Sequence, residues 1–166
     1  MRARTRRLLG QRRQFCRAGV KTSDSDFLRE MQDPGIPDVL LLAIRRGLAT
    51  RCGIPPERIH PDAQVDVLRP LMAASLRSAC WELDPDDADL DVVEFIGKVE
   101  DDCRRSGYAL RLGNQFVAKL PEFGHHHGAL IRRLLRRPNP CPCVKDWVRA
   151  TALFIARYGQ VVQRSV

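Results

Sequence analysis

Residues 81–103 combine two patterns that most constrain how this chain folds. Apolar residues recur there at i, i+4, i+7 and i+11, as Val92, Ile96, Val99 and Cys103. This spacing predicts a helix with one buried face. Residues 82–102 also hold ten acidic residues against one basic residue, a local balance of −9 in a chain whose total is +8. We therefore expect the other face to present negative charge to water or to a partner.

The charged face of this predicted helix is a candidate partner-binding surface. Its candidate residues are Asp91, Glu94, Lys98, Asp101 and Asp102. The alternative is a solvated helix face without a partner. The preceding Asp-Pro-Asp-Asp at 84–87 is typical of an N-cap followed by proline and acidic residues in the first turn. On that interpretation the helix begins near Pro85, and Asp89 is an ordinary residue of its second turn.

The first 21 residues differ in character from the rest of the chain. They hold eight basic and no acidic residues, which leaves 20 basic and 20 acidic residues elsewhere. We predict a disordered basic tail at residues 1–22, because like charges with few apolar residues bury too little surface to order. Such a tail attracts nucleic acid or anionic lipid. An organelle-targeting segment and a stretch upstream of the true start are the alternatives.

The remaining residues, 23–166, predict one mainly helical domain that is long enough for a real core. Helices are expected at 26–32 with Ser25 or Asp26 as the cap, at 39–52 ending at Gly53, at 67–80 with a start near Pro70, and at 144–158 ending at Gly159, and another ends near Arg137. Arg45 is expected largely off the apolar stripe of the helix at 39–52. Residues 108–121 predict a small hairpin with its turn at Gly113 and Asn114. The longest strongly apolar run, 39–44, is far too short to span a membrane. Six scattered cysteines indicate reduced thiols in a cytoplasmic protein.

Three of these segments share motifs with one family. The predicted helix at 39–52 is followed at 53–61 by Gly-Ile-x-x-x-x-Ile-x-Pro, whose two isoleucines we expect in the core. Residues 88–103 begin with a triplet, and the residues after this triplet fit the pattern D-x-V-E-Φ-Φ-x-x-Φ-E-x-x, where Φ is apolar. The last helix opens with Val144, Asp146, Trp147 and Val148. In this order the segments resemble the first, second and final helices of acyl and peptidyl carrier proteins. The resemblance covers about 38–66, 88–103 and 143–158, under half of the chain.

The resemblance implies a three- or four-helix bundle in which residues 104–142 are an insertion. In carriers an Asp-Ser-Leu triplet opens the second helix, and its serine takes the phosphopantetheine arm. Here the triplet is Ala88, Asp89 and Leu90, and a carboxylate cannot form that phosphodiester. We therefore expect no phosphopantetheine and no other cofactor. Ser75 and Ser78 lack the Asp-Ser-Leu context.

Residues 125–143 contain two further candidate sites. Four arginines share one face of the helix predicted there and are candidates for an anion or nucleic-acid contact, or else are simply solvated: Arg132, Arg133, Arg136 and Arg137. Two histidines and two cysteines offer ligands for zinc, namely His125, His127, Cys141 and Cys143. Cys-x-Cys is tighter than the usual zinc-finger spacing, and neighbouring histidines point apart. We therefore predict unpaired thiols and no bound metal.

The chain lacks a nucleophile elbow, a P-loop, a dinucleotide fingerprint and HExxH, so nothing in the sequence argues for an enzyme. The carrier resemblance implies a non-catalytic scaffold that binds a protein of a carrier-dependent biosynthetic system through its acidic helix. The alternative is a nucleic-acid-associated protein that uses the arginine-rich N-terminal segment and the basic stripe at 132–137.

Overall fold

The computed structural model describes residues 2–31, 35–65, 67, 68, 71, 87–116, 118 and 143–164. The helices are α1 (Arg2–Ala18), α2 (Asp24–Met31), α3 (Asp38–Cys52), α4 (Asp87–Arg105) and α5 (Val144–Tyr158), and Pro56–Arg58 form a single 3-10 turn. Two strands, β1 (Tyr108–Leu112) and β2 (Gly159–Gln163), complete these elements. The prediction of a mainly helical fold is confirmed.

The core forms where α3 contacts both α4 and α5. Each of these helices buries one apolar stripe, because its apolar residues repeat with helical spacing. Fully or almost fully buried members are Leu40, Leu41, Ile44 and Leu48 of α3, Phe95, Ile96 and Val99 of α4, and Val144, Val148 and Ile155 of α5. The helices α3 and α4 approach closely at Gly47, where an added Cβ would lie 2.9 Å from Cε2 of Phe95.

Helix α3 and the loop after it follow the sequence prediction. Gly53 ends α3 in the left-handed conformation with φ 63°, a geometry that glycine adopts without steric cost. Ile54 and Ile59 are buried, as predicted. The backbone N–H groups of Val144 and Lys145 then donate to the carbonyls of Ala63 and Pro61, each at 2.8 Å. These bonds fix the loop against the first turn of α5.

The cap of α2 lies slightly earlier than the predicted Ser25 or Asp26. Ser23 Oγ accepts the backbone N–H of Asp26 at 3.1 Å and donates to the Asp26 carboxylate at 2.7 Å. Ser23 therefore acts as the N-cap of α2, because its hydroxyl accepts the backbone N–H of the third helical residue. The hydrogen bond from Ser23 also lowers the pKa of Asp26.

The predicted hairpin at 108–121 is wrong in its second strand. Tyr108–Leu112 form a strand, as expected, but it pairs in antiparallel register with Gly159–Gln163. Residues 114–116, beyond the predicted turn, are helical. The pairing brings the exit of α4 beside the exit of α5, so a long-range contact takes the place of the local turn that the glycine suggested.

The structure also differs from the predicted disordered tail at 1–22, because Arg2–Ala18 form a helix. Arginine, leucine, glutamine and alanine favour helices, so its composition supports this conformation. Phe15 and Cys16 pack against the core and give α1 an attachment that the charge count did not reveal. An Arg58 guanidinium nitrogen donates to the carbonyl of Gly19 and fixes the segment after the helix.

Several predictions fall outside the described residues. These include residues 1, 32–34, 81–86 and 119–142, with the four arginines at 132–137, both histidines and Cys141 of the zinc candidate. Of the helix predicted at 67–80, Val67, Leu68 and Leu71 are described and are helical. Val65 is helical as well, so helical structure begins before Pro70, the predicted start.

Candidate functional site

The site predicted from sequence is the outer face of α4, and packing of its inner face decides what remains exposed. Phe95, Ile96, Val99 and Cys103 are buried against the core. The ring of Phe95 also meets Trp147 of α5 edge-on, with centroids 5.5 Å apart. The predicted stripe is therefore confirmed at its described positions, with Phe95 added to it. The side chain of Val92 lies outside the described part.

Glu94, Lys98 and Asp101 lie on the outer face, where their side chains are 60%, 39% and 54% exposed. Lys98 Nζ donates to Glu94 Oε1 at 2.6 Å, and this hydrogen bond lowers the pKa of the carboxylate. Arg104 lies 3.4 Å from Asp101. Each of the two carboxylates therefore lies beside a cation of its own helix.

The described half of this face is less acidic than the stretch as a whole. Residues 94–105 hold four acidic and three basic residues, a balance of −1. Arg104 also lies 3.2 Å from Glu100, so one guanidinium serves two carboxylates. The large negative excess belongs to residues 82–91, which hold six acidic and no basic residues. The face is thus graded along α4, from acidic at its start to mixed charge at its end.

Asp102 differs from the other predicted partner-binding residues. Its side chain is only 17% exposed and lies 3.9 Å from Arg46 of α3 and 3.5 Å from Arg105. It therefore contributes to the contact between α3 and α4, and we leave it out of the outer surface.

Asp89 is the third described residue of α4. The sequence offered two positions, the first turn by the carrier resemblance and the second turn for a helix starting near Pro85. Residues 81–86, which would decide between them, lie outside the described residues. The backbone places Asp91 two residues further along α4, and the side chains of Asp89 and Asp91 lie outside the described part.

Sequence reasoning missed the buried charge of Arg45. It was expected largely off the apolar stripe of α3, yet its side chain is fully buried. Its guanidinium donates to Asp24 Oδ1 at 2.8 Å and to the Thr22 carbonyl at 2.6 Å, and lies 4.4 Å from the ring centroid of Phe27. Its hydrogen-bond partners are more than 20 residues away in sequence, so no local pattern signals the contact. Arg45 anchors the segment between α1 and α2 to α3.

Three of the described thiols, Cys52, Cys103 and Cys143, are poorly suited to nucleophilic or metal chemistry. Burial raises the pKa of Cys52 to about 12 and that of Cys103 to about 11. Cys143, one of the four zinc candidates, donates from Sγ to Asp146 Oδ2 at 3.0 Å. Burial and this hydrogen bond raise its pKa as well. The reactive and metal-binding form of cysteine is the thiolate, which these groups disfavour at neutral pH.

One group of potential metal ligands occurs elsewhere among the described residues. Ligand atoms of Glu30, His60 and Asp62 lie within 4.8 Å of one another. However, the backbone N–H of Asp62 donates to Nδ1 of His60 at 3.1 Å. The proton of the neutral ring is then on Nε2, which makes that nitrogen a donor instead of a ligand. Lys145 also holds Asp62 at 2.6 Å, so a hydrogen-bonded surface cluster explains the group.

An open groove of about 550 Å³ lies where the two strands meet the end of α5. Its lining includes Arg111, Asn114, Arg157 and Tyr158. The guanidinium carbon of Arg157 lies 5.7 Å from the ring centroid of Tyr158, so the aromatic ring interacts with part of the positive charge of Arg157. The groove is lined by both polar and apolar groups, and it presents hydrogen-bonding groups without an acid–base pair among the lining residues.

No family model, curated protein or solved structure matches this chain. The carrier-protein resemblance therefore rests on the sequence motifs and on the helix positions given above. Among the described helices, none combines the length and apolar character needed to cross a bilayer.

Proposed function

We propose that this protein is a non-catalytic, carrier-like scaffold that binds a protein partner through the outer face of α4, without phosphopantetheine. The observation that carries the proposal is the position of three packed helices. The carrier resemblance assigned helices to 39–52, 88–103 and 143–158, and the described helices are 38–52, 87–105 and 144–158.

The loop between the first two of these helices gives further support. Its two isoleucines, Ile54 and Ile59, are buried where the Gly-Ile-x-x-x-x-Ile-x-Pro motif implied core contacts. Asp89 belongs to the described part of α4, and it occupies the triplet position that the resemblance gives to the arm-bearing serine. A carboxylate there leaves the scaffold without its covalent arm, so binding is the remaining role of the helix.

The proposed surface consists of Glu94, Lys98 and Asp101, extended by helical position to Asp91. The described members point away from the buried stripe, so a partner can contact them without disturbing the core. The partner is a protein with basic groups, which would meet the acidic start of α4 and share the carboxylates now held by Lys98 and Arg104. Contacts of this kind weaken with salt, because exposed charges are screened over about 8 Å at physiological ionic strength.

The test is affinity capture from the native cell, followed by titration of the recovered partner. The informative variant is Glu94→Lys with Asp101→Lys, which reverses two exposed charges. We expect it to fold like the wild type and to lose most of its binding at low salt. The matched control is Glu30→Lys with Asp38→Lys, which makes the same charge change at exposed positions on α2 and α3.

The two variants separate a local surface from an effect of net charge. Loss of binding in the α4 variant and retention in the control support the proposal. Equal binding by the α4 variant and the wild type, with an unchanged circular dichroism spectrum, would show that this face is only solvated. Equal loss in both variants would assign the effect to net charge.

A further inference from the structure

We propose that α1 is a docked basic helix that binds the phosphate backbone of a nucleic acid through Arg6, Arg13 and Arg17. This goes beyond the scaffold function proposed for α4 and uses a different surface. Helix α1 contains seven arginines and no acidic residue. The side chains of Arg6, Arg13 and Arg17 are all exposed.

The three arginines share one side of the helix. Successive residues rotate by about 100°, so positions 6, 13 and 17 fall within an arc of roughly 40°. At a rise of about 1.5 Å per residue, the row extends for roughly 16 Å along the helix axis. We call Arg6, Arg13 and Arg17 the arginine row. Its spacing presents several cations to one run of backbone phosphates.

The other side of α1 is held by the protein. Phe15 and Cys16 pack against the core, and the guanidinium of Arg12 lies against the backbone of Gly53 at the end of α3. A cation beside the carboxyl end of a helix is stabilised by the helix dipole. Arg12 therefore serves docking, and the arginine row faces away from the body.

Among the described residues, the arginine row lacks the ion pairs that several other exposed arginines form. Arg29, Arg104 and Arg105 are also exposed, yet each lies 2.5–3.5 Å from a carboxylate of its own helix. Within the part of the chain that the structure describes, no carboxylate lies within 4 Å of the arginine row. Its charge is therefore available to an external anion without breaking an internal pair.

The observations favour a nucleic acid over a lipid surface. A helix that lies in a membrane interface needs a free apolar face for insertion. The apolar residues Phe15 and Cys16 are already packed on the protein, and among the described side chains of α1 Leu9 is the one large apolar side chain that is exposed. Guanidinium groups bind phosphate oxygens in a planar, two-pronged geometry that lysine does not offer.

The test measures binding of the purified full chain to a mixed-sequence DNA duplex and to a single-stranded RNA by fluorescence anisotropy over a salt series. Three neutralised phosphates give a slope of about −2.7 in log affinity against log salt on a duplex. Affinity should then fall about 40-fold between roughly 50 and 200 mM salt.

Two triple variants that lose equal charge show whether nucleic-acid binding depends on the arginine row or on the overall charge of the protein. Arg6→Gln, Arg13→Gln and Arg17→Gln should remove most of the affinity and of the salt slope. The matched control replaces the paired arginines by Arg29→Gln, Arg104→Gln and Arg105→Gln, and should keep both. A third variant with lysine at 6, 13 and 17 should retain the salt slope and bind more weakly than the wild type.

Each outcome bears directly on the proposal. Selective loss in the first variant, with an unchanged melting temperature, supports it. Equal loss in the matched control, or no binding of either nucleic acid at low salt, overturns it. Binding to phosphatidylserine vesicles without binding to nucleic acid also overturns it and assigns α1 to a lipid surface. If the glutamine variant unfolds, the lysine variant decides, because loss of its salt slope would contradict a phosphate contact.

Discussion

Replacing Arg45 by methionine should destabilise the protein more than the sequence suggests, because the sequence pattern of α3 placed Arg45 off the buried apolar stripe. Methionine keeps much of the aliphatic packing of arginine and removes its guanidinium. That group donates to the buried carbonyl of Thr22 and to Asp24, and lies over the ring of Phe27. The variant therefore isolates the polar contacts that join the segment before α2 to α3.

The expected loss in the free energy of unfolding follows from the contacts that each partner of Arg45 loses or keeps. The Thr22 carbonyl loses a charged donor in a buried position, which costs about 1–3 kcal/mol. Loss of the cation–π contact with Phe27 adds about 0.5–2 kcal/mol. Asp24 adds little, because it is 44% exposed and keeps Arg46 at 2.8 Å. We expect the free energy of unfolding to fall by about 2–4 kcal/mol in total.

Urea denaturation followed by circular dichroism measures this change, and Arg46→Met is the matched control. Arg46 shares the Asp24 carboxylate but is partly exposed, so its loss should cost less than about 1 kcal/mol. Equal stabilities of the two variants would refute the reasoning, because the expected difference rests on the buried contacts of Arg45 with Thr22 and Phe27.

Two further predictions concern glycines and acid. Gly97→Ala should stabilise the protein by about 0.5–1 kcal/mol, because its added methyl group meets open space in a helix interior. Gly47→Ala should destabilise it by about 1–3 kcal/mol, because the methyl group meets Phe95, and urea denaturation of both variants checks the pair. The hydrogen bond from Lys145 lowers the pKa of Asp62 from 3.8, so its stabilisation is present above that value and is lost in acid. The stability difference between wild type and Asp62→Asn should therefore shrink as pH falls from about 5 to below 3.8, as equilibrium unfolding at each pH would show.

The helices that sequence reasoning predicted well have strong local signals. A regular apolar stripe and a terminal glycine defined α3, and a similar stripe ending at Gly159 defined α5. The apolar stripe of α4 was found for the same reason. Helical periodicity depends only on residues within a few turns, so one sequence suffices to detect it.

Contacts between segments that are distant in sequence were harder to predict from the sequence. The turn signal at Gly113 indicated a hairpin, whereas β1 pairs with a strand about 50 residues later. The charge of α1 indicated disorder, although a few side chains such as Phe15 attach it to the core. On the candidate face, sequence identified Glu94 and Asp101 as outward residues but did not reveal that Asp102 turns towards α3. These features depend on how the helices and strands are placed relative to one another. The spacing of residues within one helix or strand carries no information about that placement.

The most direct measurement for the carrier-like account restores the missing arm site. The variant Ala88→Asp with Asp89→Ser places Asp-Ser-Leu at residues 88–90 of α4, and Asp101→Ser is the control near the other end of the helix. Each protein is co-expressed with a broad-specificity phosphopantetheinyl transferase, and its intact mass is measured. The account predicts that the double variant gains one arm, mapped to position 89, while the wild type and the control gain none. A folded double variant that stays unmodified, or a wild type that takes the arm at any serine, would contradict the account.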